Sequence, residues 1–360
     1  MKPFTTVTDP VFVRPAHYNF LDRFFLKLIR DERDLPFVYL TLQITLLMLP
    51  AGLLLYLPLA NWLWWALATL YFILNNFVYK GSFGLMLHCT SHRRLYKQRY
   101  NFLNLYLPWV IGPFFGQTPE TYFSHHIGMH HVENNLENDL STTMHYQRDS
   151  WQGFVRYLGS FLFLGAAYLV NYFRARNIKK LRDKVIRGEL VFLAFCVVLC
   201  FVDWQATFVV FILPFLISRL IMMVGNWAQH AFVDYDEPGN CYKNSLTCIN
   251  TKYNHKCWND GYHISHHLKP TLHWTQYPAH FQENLQEFAT NKALVFEGIH
   301  WLHIWLYLMT KNYRLLSAHL VNIHHAFSSE EEAIALMRSR TSKMPARGIS
   351  MKSLRMAEAP

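Results

Sequence analysis

Charge is scarce in this sequence. Asp, Glu, Lys and Arg make up 16% of its 360 residues, well below the roughly one quarter usual in soluble proteins. What charge there is leans one way, to +10 with every histidine neutral. Beside long apolar runs, such an excess favours an anionic membrane surface over nucleic acid. No CxxC pair occurs among Cys89, Cys196, Cys200, Cys241, Cys248 and Cys257. Neither a zinc ribbon nor a disulfide framework is therefore indicated, and a reducing, cytosol-facing environment is expected. The opening stretch, MKPFTTVTDPVFVRPAHYNF, lacks the apolar core of a signal peptide, so no cleaved leader is expected. There is no retrieval tetrapeptide, no prenylation box, no internal repeat and no low-complexity segment.

Apolar runs are what the sequence has in abundance. FVYLTLQITLLMLPAGLLLYL (37–57) and WLWWALATLYFILNNFVY (62–79) are separated only by a short uncharged turn. Each has about the 20 residues needed to cross a hydrocarbon core of about 30 Å. Arg23, Lys27, Arg30 and Arg33 precede this hairpin, and Lys80 and HRRLYKQRY follow it. The positive-inside bias puts both ends in the cytosol. A second hairpin is expected from ELVFLAFCVVLCFV, which ends at Asp203, and WQATFVVFILPFLISRLIMMVGNW, which returns. The dense basic stretch before it, RARNIKKLRDKVIRGE, is expected to be cytosolic.

The runs 102–116 and 154–173 are read as interfacial or half-inserted helices. A single extra span would set the later histidines on the opposite face from the first ones. The expected fold is thus an all-α integral membrane protein, with four transmembrane helices as two hairpins and a cytosolic helical cap. The boundaries follow: a cytosolic N-terminal segment (1–36), a membrane domain (37–285), an interfacial helical segment (286–327) and a basic mobile tail (328–360).

Histidine is concentrated where those cytosolic segments fall. HCTSH holds His88 and His92, a pair at i, i+4 that shares one helix face. HHIGMHH holds His125, His126, His130 and His131, and NWAQH holds Asn226 and His230. GYHISHHLKP holds His263, His266 and His267, again at spacings of three and four. One HxxxH pair is as often structural as functional, but four clusters assignable to one side of a membrane make a common site the better reading.

A closed zinc site needs four ligands and a hydrolytic one three. Nine or so imidazoles exceed one metal and fit two, at four to five nitrogens each. Imidazole suits iron, copper, nickel and zinc, while the lack of clustered cysteine argues against iron–sulfur. A pair of irons in neutral ligands can activate dioxygen, and at a membrane face it would meet greasy substrates. A zinc-dependent membrane hydrolase and a non-catalytic lipid-binding protein are the rival classes.

Boxes of the forms HxxxH, HxxxHH and HxxHH, with two hairpins and a histidine after the last span, resemble the membrane fatty acid desaturase and hydroxylase superfamily. The resemblance covers about residues 35–285. It implies His88 and His92 as box one, His126, His130 and His131 as box two, and His263, His266 and His267 as box three. NWAQH resembles the N-x3-H element of stearoyl-type desaturases, which implies His230 as a ligand and Asn226 as a holder of metal through water. The cofactors implied are two Fe ions, with O2 as co-substrate. The reaction implied is removal of hydrogen from a methylene of a long-chain acyl lipid or acyl-CoA. Loss of a second hydrogen gives a double bond, and return of an oxygen gives a hydroxylated chain.

Box two departs from the HxxHH frequent in desaturases. On an ideal helix His131 points about 140° from His126, so His131 is expected either to reach the second metal or to sit on a distorted helix. HxxxHH is common in alkane-hydroxylase relatives and keeps hydroxylation open. Behind the ligands, His125, Glu133, Asp139, Asp234, Asp260 and His273 are candidates to orient the rings. No HPGG haem motif occurs, so electrons are expected from a separate cytochrome b5 or ferredoxin with its reductase. Membrane lipid is an expected partner and nucleic acid is not. The expected location is the endoplasmic reticulum in a eukaryote or the inner membrane in a bacterium, with the active site facing the cytosol.

Overall fold

The computed structural model describes residues 1–348, and the final stretch of the basic tail, 349–360, lies outside the described residues. The protein is a mostly helical membrane protein. Among the described residues four helices are long and apolar enough to cross a membrane: Glu32–Leu54, Trp151–Ala175, Lys179–Val202 and Trp204–Gln229.

Two of the segment expectations change. Trp151–Ala175, read from sequence as interfacial, has the length and composition of a span. The run 62–79, read as a span, lies in a continuous helical segment from Asn61 to His92 and is not among the four. Three tryptophans and the pair Asn75–Asn76 dilute its apolar character. Asn75 is fully buried, where its Nδ2 donates to the Phe114 carbonyl (2.8 Å). A polar side chain so placed satisfies protein backbone and does not face lipid.

The chain forms two compact units. One comprises residues 12–125 and 169–220. Within it Trp64 Nε1 donates to the Leu55 carbonyl across the first hairpin turn (2.8 Å). Phe115 stacks on Phe83 (4.4 Å between centroids), so the second half of the 102–116 run is core. Gly188, in the helix Lys179–Val202, lies so close to Pro119 that a Cβ there would stand 1.7 Å from its carbonyl oxygen. Backbone cannot yield that much space. Gly188→Ala is therefore expected to cost at least the 1–3 kcal/mol of ordinary overpacking, read as a lower thermal midpoint and a lower yield of folded protein.

The other unit comprises residues 1–11, 126–168 and 221 onward. Its core gathers Trp227, Phe232, Phe296, Trp301, Ile304 and Leu316 around short helices. Two small parallel pairings interrupt the all-helical pattern: Lys2–Pro3 with Val321–Asn322, and Thr247–Ile249 with Val295–Glu297. The strands Val295–Glu297 and Val321–Asn322 fall inside the segment 286–327, expected to be helical. The tail from 328 also differs from the mobile end expected. Ser329 caps a helix at Glu330–Ser339 whose Ala333 and Met337 are buried in the core. The acidic first turn and the i, i+4 apolar pair are the local reasons that helix forms.

Candidate metal centre

Box three sits on a six-residue helix, His263–Leu268, in which all three histidines are buried. Box two sits on a π-helical turn, His126–His130, followed by His131–Glu133. This wider turn resolves the awkward spacing of HxxxHH. It brings residues five apart toward one side, and His131 Nε2 lies 3.1 Å from His126 Nε2. His230 follows the helix Leu213–Gln229 and is fully buried.

The imidazoles converge through their Nε2 atoms. His230 and His267 each lie against His263, at 3.1 and 3.0 Å. His131 lies against His266 at 2.9 Å as well as against His126. His130, His230, His263 and His267 have one ligand nitrogen each within 4.8 Å of all the others. His88 and His92 belong to the other unit, where they share a helix face with ring centroids 5.3 Å apart.

The far sides of the rings fix where the protons are. His130 Nδ1 donates to Asp139 (2.7 Å), and His230 Nδ1 donates to the Asn244 carbonyl (2.9 Å). Carboxylate and carbonyl can only accept, so both rings carry hydrogen on Nδ1 and turn Nε2 inward. Burial, followed by the neighbouring His130, pushes His230 down to about 4. Burial and then the surrounding histidines push His267 well below the ordinary histidine value. Buried imidazoles whose Nε2 atoms converge in this way make a donor set suited to a metal cation.

The residues proposed from sequence to stand behind the ligands separate clearly. Asp139 holds His130 and is itself pinned by Asn135 N–H, Ser141 N–H and the Ser141 hydroxyl (2.9, 2.8 and 2.7 Å). Asp234 pairs with Arg340 (2.8 Å) in a half-buried ion pair. Asp260 accepts from Trp301 Nε1 and the Tyr253 hydroxyl (both 2.8 Å), and burial raises its carboxyl to about 6. His273 caps a turn through Thr275 (2.8 Å). Glu133 is buried, and His125 is half-buried in the other unit.

Asn226 Nδ2 donates to the Ser141 carbonyl and to Tyr157 (2.8 and 2.6 Å). Two orienting residues were not foreseen: Asn244 on His230 and Tyr277 on His266 Nδ1 (3.0 Å). Each is more than ten residues from its histidine, at the end of another short helix, with no spacing to betray it.

Asp139→Asn should be felt directly. The amide keeps the shape but removes the charge facing His130, and partners of this kind typically carry 10–100-fold in metal affinity. A loss in that range is expected in metal titration of the purified variant, with little change in the far-ultraviolet helical signal.

A helical membrane protein that gathers imidazoles around common centres has the make-up of a histidine-ligated membrane metalloprotein. The profile of the fatty acid desaturase family matches residues 60–300, and the chain belongs to that family. It is thereby an oxidoreductase of the desaturase and hydroxylase type, acting on lipid or acyl chains with the help of redox partners. No curated protein and no solved structure matches the chain.

Proposed function

We propose that the protein is an O2-dependent acyl-chain desaturase with a di-iron centre. The observation that carries the reading is the convergence of His126, His130, His131, His230, His263, His266 and His267 within one unit. Seven imidazoles exceed the three or four ligands of a zinc site, which disfavours the zinc hydrolase. His130, His230, His263 and His267 are assigned to one iron. His126, His131 and His266 are assigned to the other, joined on the box pattern by His88 and His92. Asn226 is assigned to hold metal through water. Its Nδ2 is committed to Ser141 and Tyr157, so the water would be held by its carbonyl oxygen.

When bound, two irons supply the activation of dioxygen that unactivated C–H bonds require. In the balanced reaction, O2, two electrons, two protons and a saturated –CH2–CH2– unit give –CH=CH– and two waters. The chain's own part is to fix the rings through Asp139, Asn244 and Tyr277 with Nε2 turned inward, while burial disfavours the protonated form of His230 and His267. The electrons come from an external donor such as cytochrome b5 or ferredoxin. The substrate is a long-chain acyl lipid or acyl-CoA, and the site faces the cytosol. In a eukaryote the membrane is the endoplasmic reticulum, and in a bacterium the inner membrane.

The HxxxHH spacing of box two favours one second reading, hydroxylation. It uses the same inputs but leaves one oxygen on the carbon. Fatty acids of cells expressing the wild type, compared with those of a His266→Ala, His267→Ala double variant, separate the two. A wild-type-only product two hydrogens lighter establishes desaturation, and one an oxygen heavier establishes hydroxylation. Identical profiles would contradict both.

A further inference from the structure

The centre as described makes no use of the first ten residues, yet they are laced onto the loop that leads into box three. Lys2–Pro3 pairs with Val321–Asn322, and the Phe4 ring meets Phe281 edge-on at 5.9 Å. The Asn250 side chain then grips the strap, donating to the Thr6 carbonyl and accepting from Thr8 N–H (2.9 and 2.8 Å). Asn259 Nδ2 donates to the Pro10 carbonyl (2.8 Å). Between these holds lies Asp9, 4% exposed. Its carboxylate accepts from Asn250 N–H (2.7 Å), Thr251 N–H (3.2 Å) and the Tyr262 hydroxyl (2.6 Å).

Those three donors come from the two ends of one loop. It begins after the strand Thr247–Ile249 and ends on Tyr262, the residue that opens the box-three helix. Tyr262 also accepts from His266 N–H through its carbonyl (3.0 Å). Within the loop Asn250, Trp258 and Asn259 have φ of 54°, 55° and 56°. Side-chain-bearing residues keep that conformation only where their surroundings hold them. A six-residue helix has no stability of its own. Its three histidines are therefore aimed by whatever anchors its first residue.

We infer that Asp9 is a positioning residue for the metal centre: by tying Asn250, Thr251 and Tyr262 together, it sets the register at which His263, His266 and His267 present their Nε2 atoms. The inference rests on the metal-centre reading above. An N-terminal strap from one end of the chain thus acts on ligands more than 250 residues away.

Co2+ titration of the metal-free, full-length protein, followed by its visible absorption, tests this. The wild type binds Co2+. Asp9→Ala binds at least about tenfold more weakly, the lower end of what a lost ligand-orienting partner costs, with a shifted absorption band. Tyr262→Phe removes one of the three bonds and gives a smaller loss. Adding Asp9→Ala to Tyr262→Phe costs less than Asp9→Ala alone costs the wild type. Lys2→Ala, which removes only a partly exposed ion pair with Glu297 (3.1 Å), leaves affinity and spectrum unchanged.

A merely structural role would lower the thermal midpoint of Asp9→Ala and leave the Co2+ affinity and band of the folded fraction as in the wild type. That result overturns the inference and spares the metal centre. A wild type that binds no Co2+ overturns the metal centre itself. Should Asp9→Ala not fold, Asp9→Asn, which keeps the shape and one acceptor oxygen, is read by the same two outcomes.

Discussion

Replacing His267 with alanine is expected to weaken metal binding at least about 100-fold and to abolish lipid oxidation, while costing the metal-free fold little. Removal of a residue that merely orients a ligand already costs 10–100-fold, and the loss of a ligand should exceed that. The ring is buried, with Nε2 3.0 Å from that of His263. In the metal-free protein it sits among other imidazoles. Taking it out leaves a polar space that water can fill. The unfolding free energy without metal should thus fall by much less than the roughly 2–5 kcal/mol of a Leu→Ala change in an apolar core. Metal should raise the thermal midpoint of the wild type by mass action and leave that of His267→Ala nearly unmoved. A variant that unfolds with or without metal would mean that His267 is a packing residue.

The second large effect lies at Arg148, which is fully buried. All of its guanidinium donors end on backbone carbonyls. Nε reaches Ala231 (2.8 Å), one terminal nitrogen reaches Thr143 and Tyr146 (3.1 and 3.2 Å), and the other reaches Arg340 and Ser342 (2.9 and 2.7 Å). Burial among these carbonyls lowers its ordinary value to about 9, so it remains charged at neutral pH. The clasp joins the residue after His230, the loop that carries Asp139 and Ser141, and the segment after the helix Glu330–Ser339.

Arg148→Met fills the volume but leaves five carbonyls to find new partners, at about 1–3 kcal/mol for each that fails. A loss of about 3–5 kcal/mol is expected, as for other broken buried charge networks. Arg148→Lys keeps the charge but offers three donors without the planar fork, and should fall between. Chemical denaturation in detergent reads both. Equal stability of Arg148→Met and wild type would show that the carbonyls are satisfied some other way.

The histidine clusters themselves were legible from the sequence because helical spacing writes them there. His263, His266 and His267 at three and four residues apart can only share a face, and NWAQH follows a span. What spacing could not show is the other side of each ring. Asn244 reaches His230 from the end of the short helix Cys241–Asn244 and Tyr277 reaches His266 from the start of another, and neither has a periodic relation to its partner. The π turn at box two was one of two alternatives the spacing left open. The structure shows the widened turn, with His131 lying beside His126 and His266.

The errors in the layout have a common origin. A run of apolar letters does not distinguish lipid from protein as the neighbour. Asn75 sits among such letters because a backbone carbonyl awaits it, and Trp151–Ala175 reads as a span despite Arg156 within it. The helix Glu330–Ser339 was hidden by the basic composition around it, although Ser329 and the three glutamates after it mark its start.

The central claim is that these histidines hold two irons. Metal analysis of the purified, full-length wild type, beside the His266→Ala, His267→Ala variant, tests it most directly. The account predicts close to two iron atoms per wild-type chain and a large loss in the variant. Stoichiometric zinc in place of iron, or iron retained equally by both proteins, would contradict it.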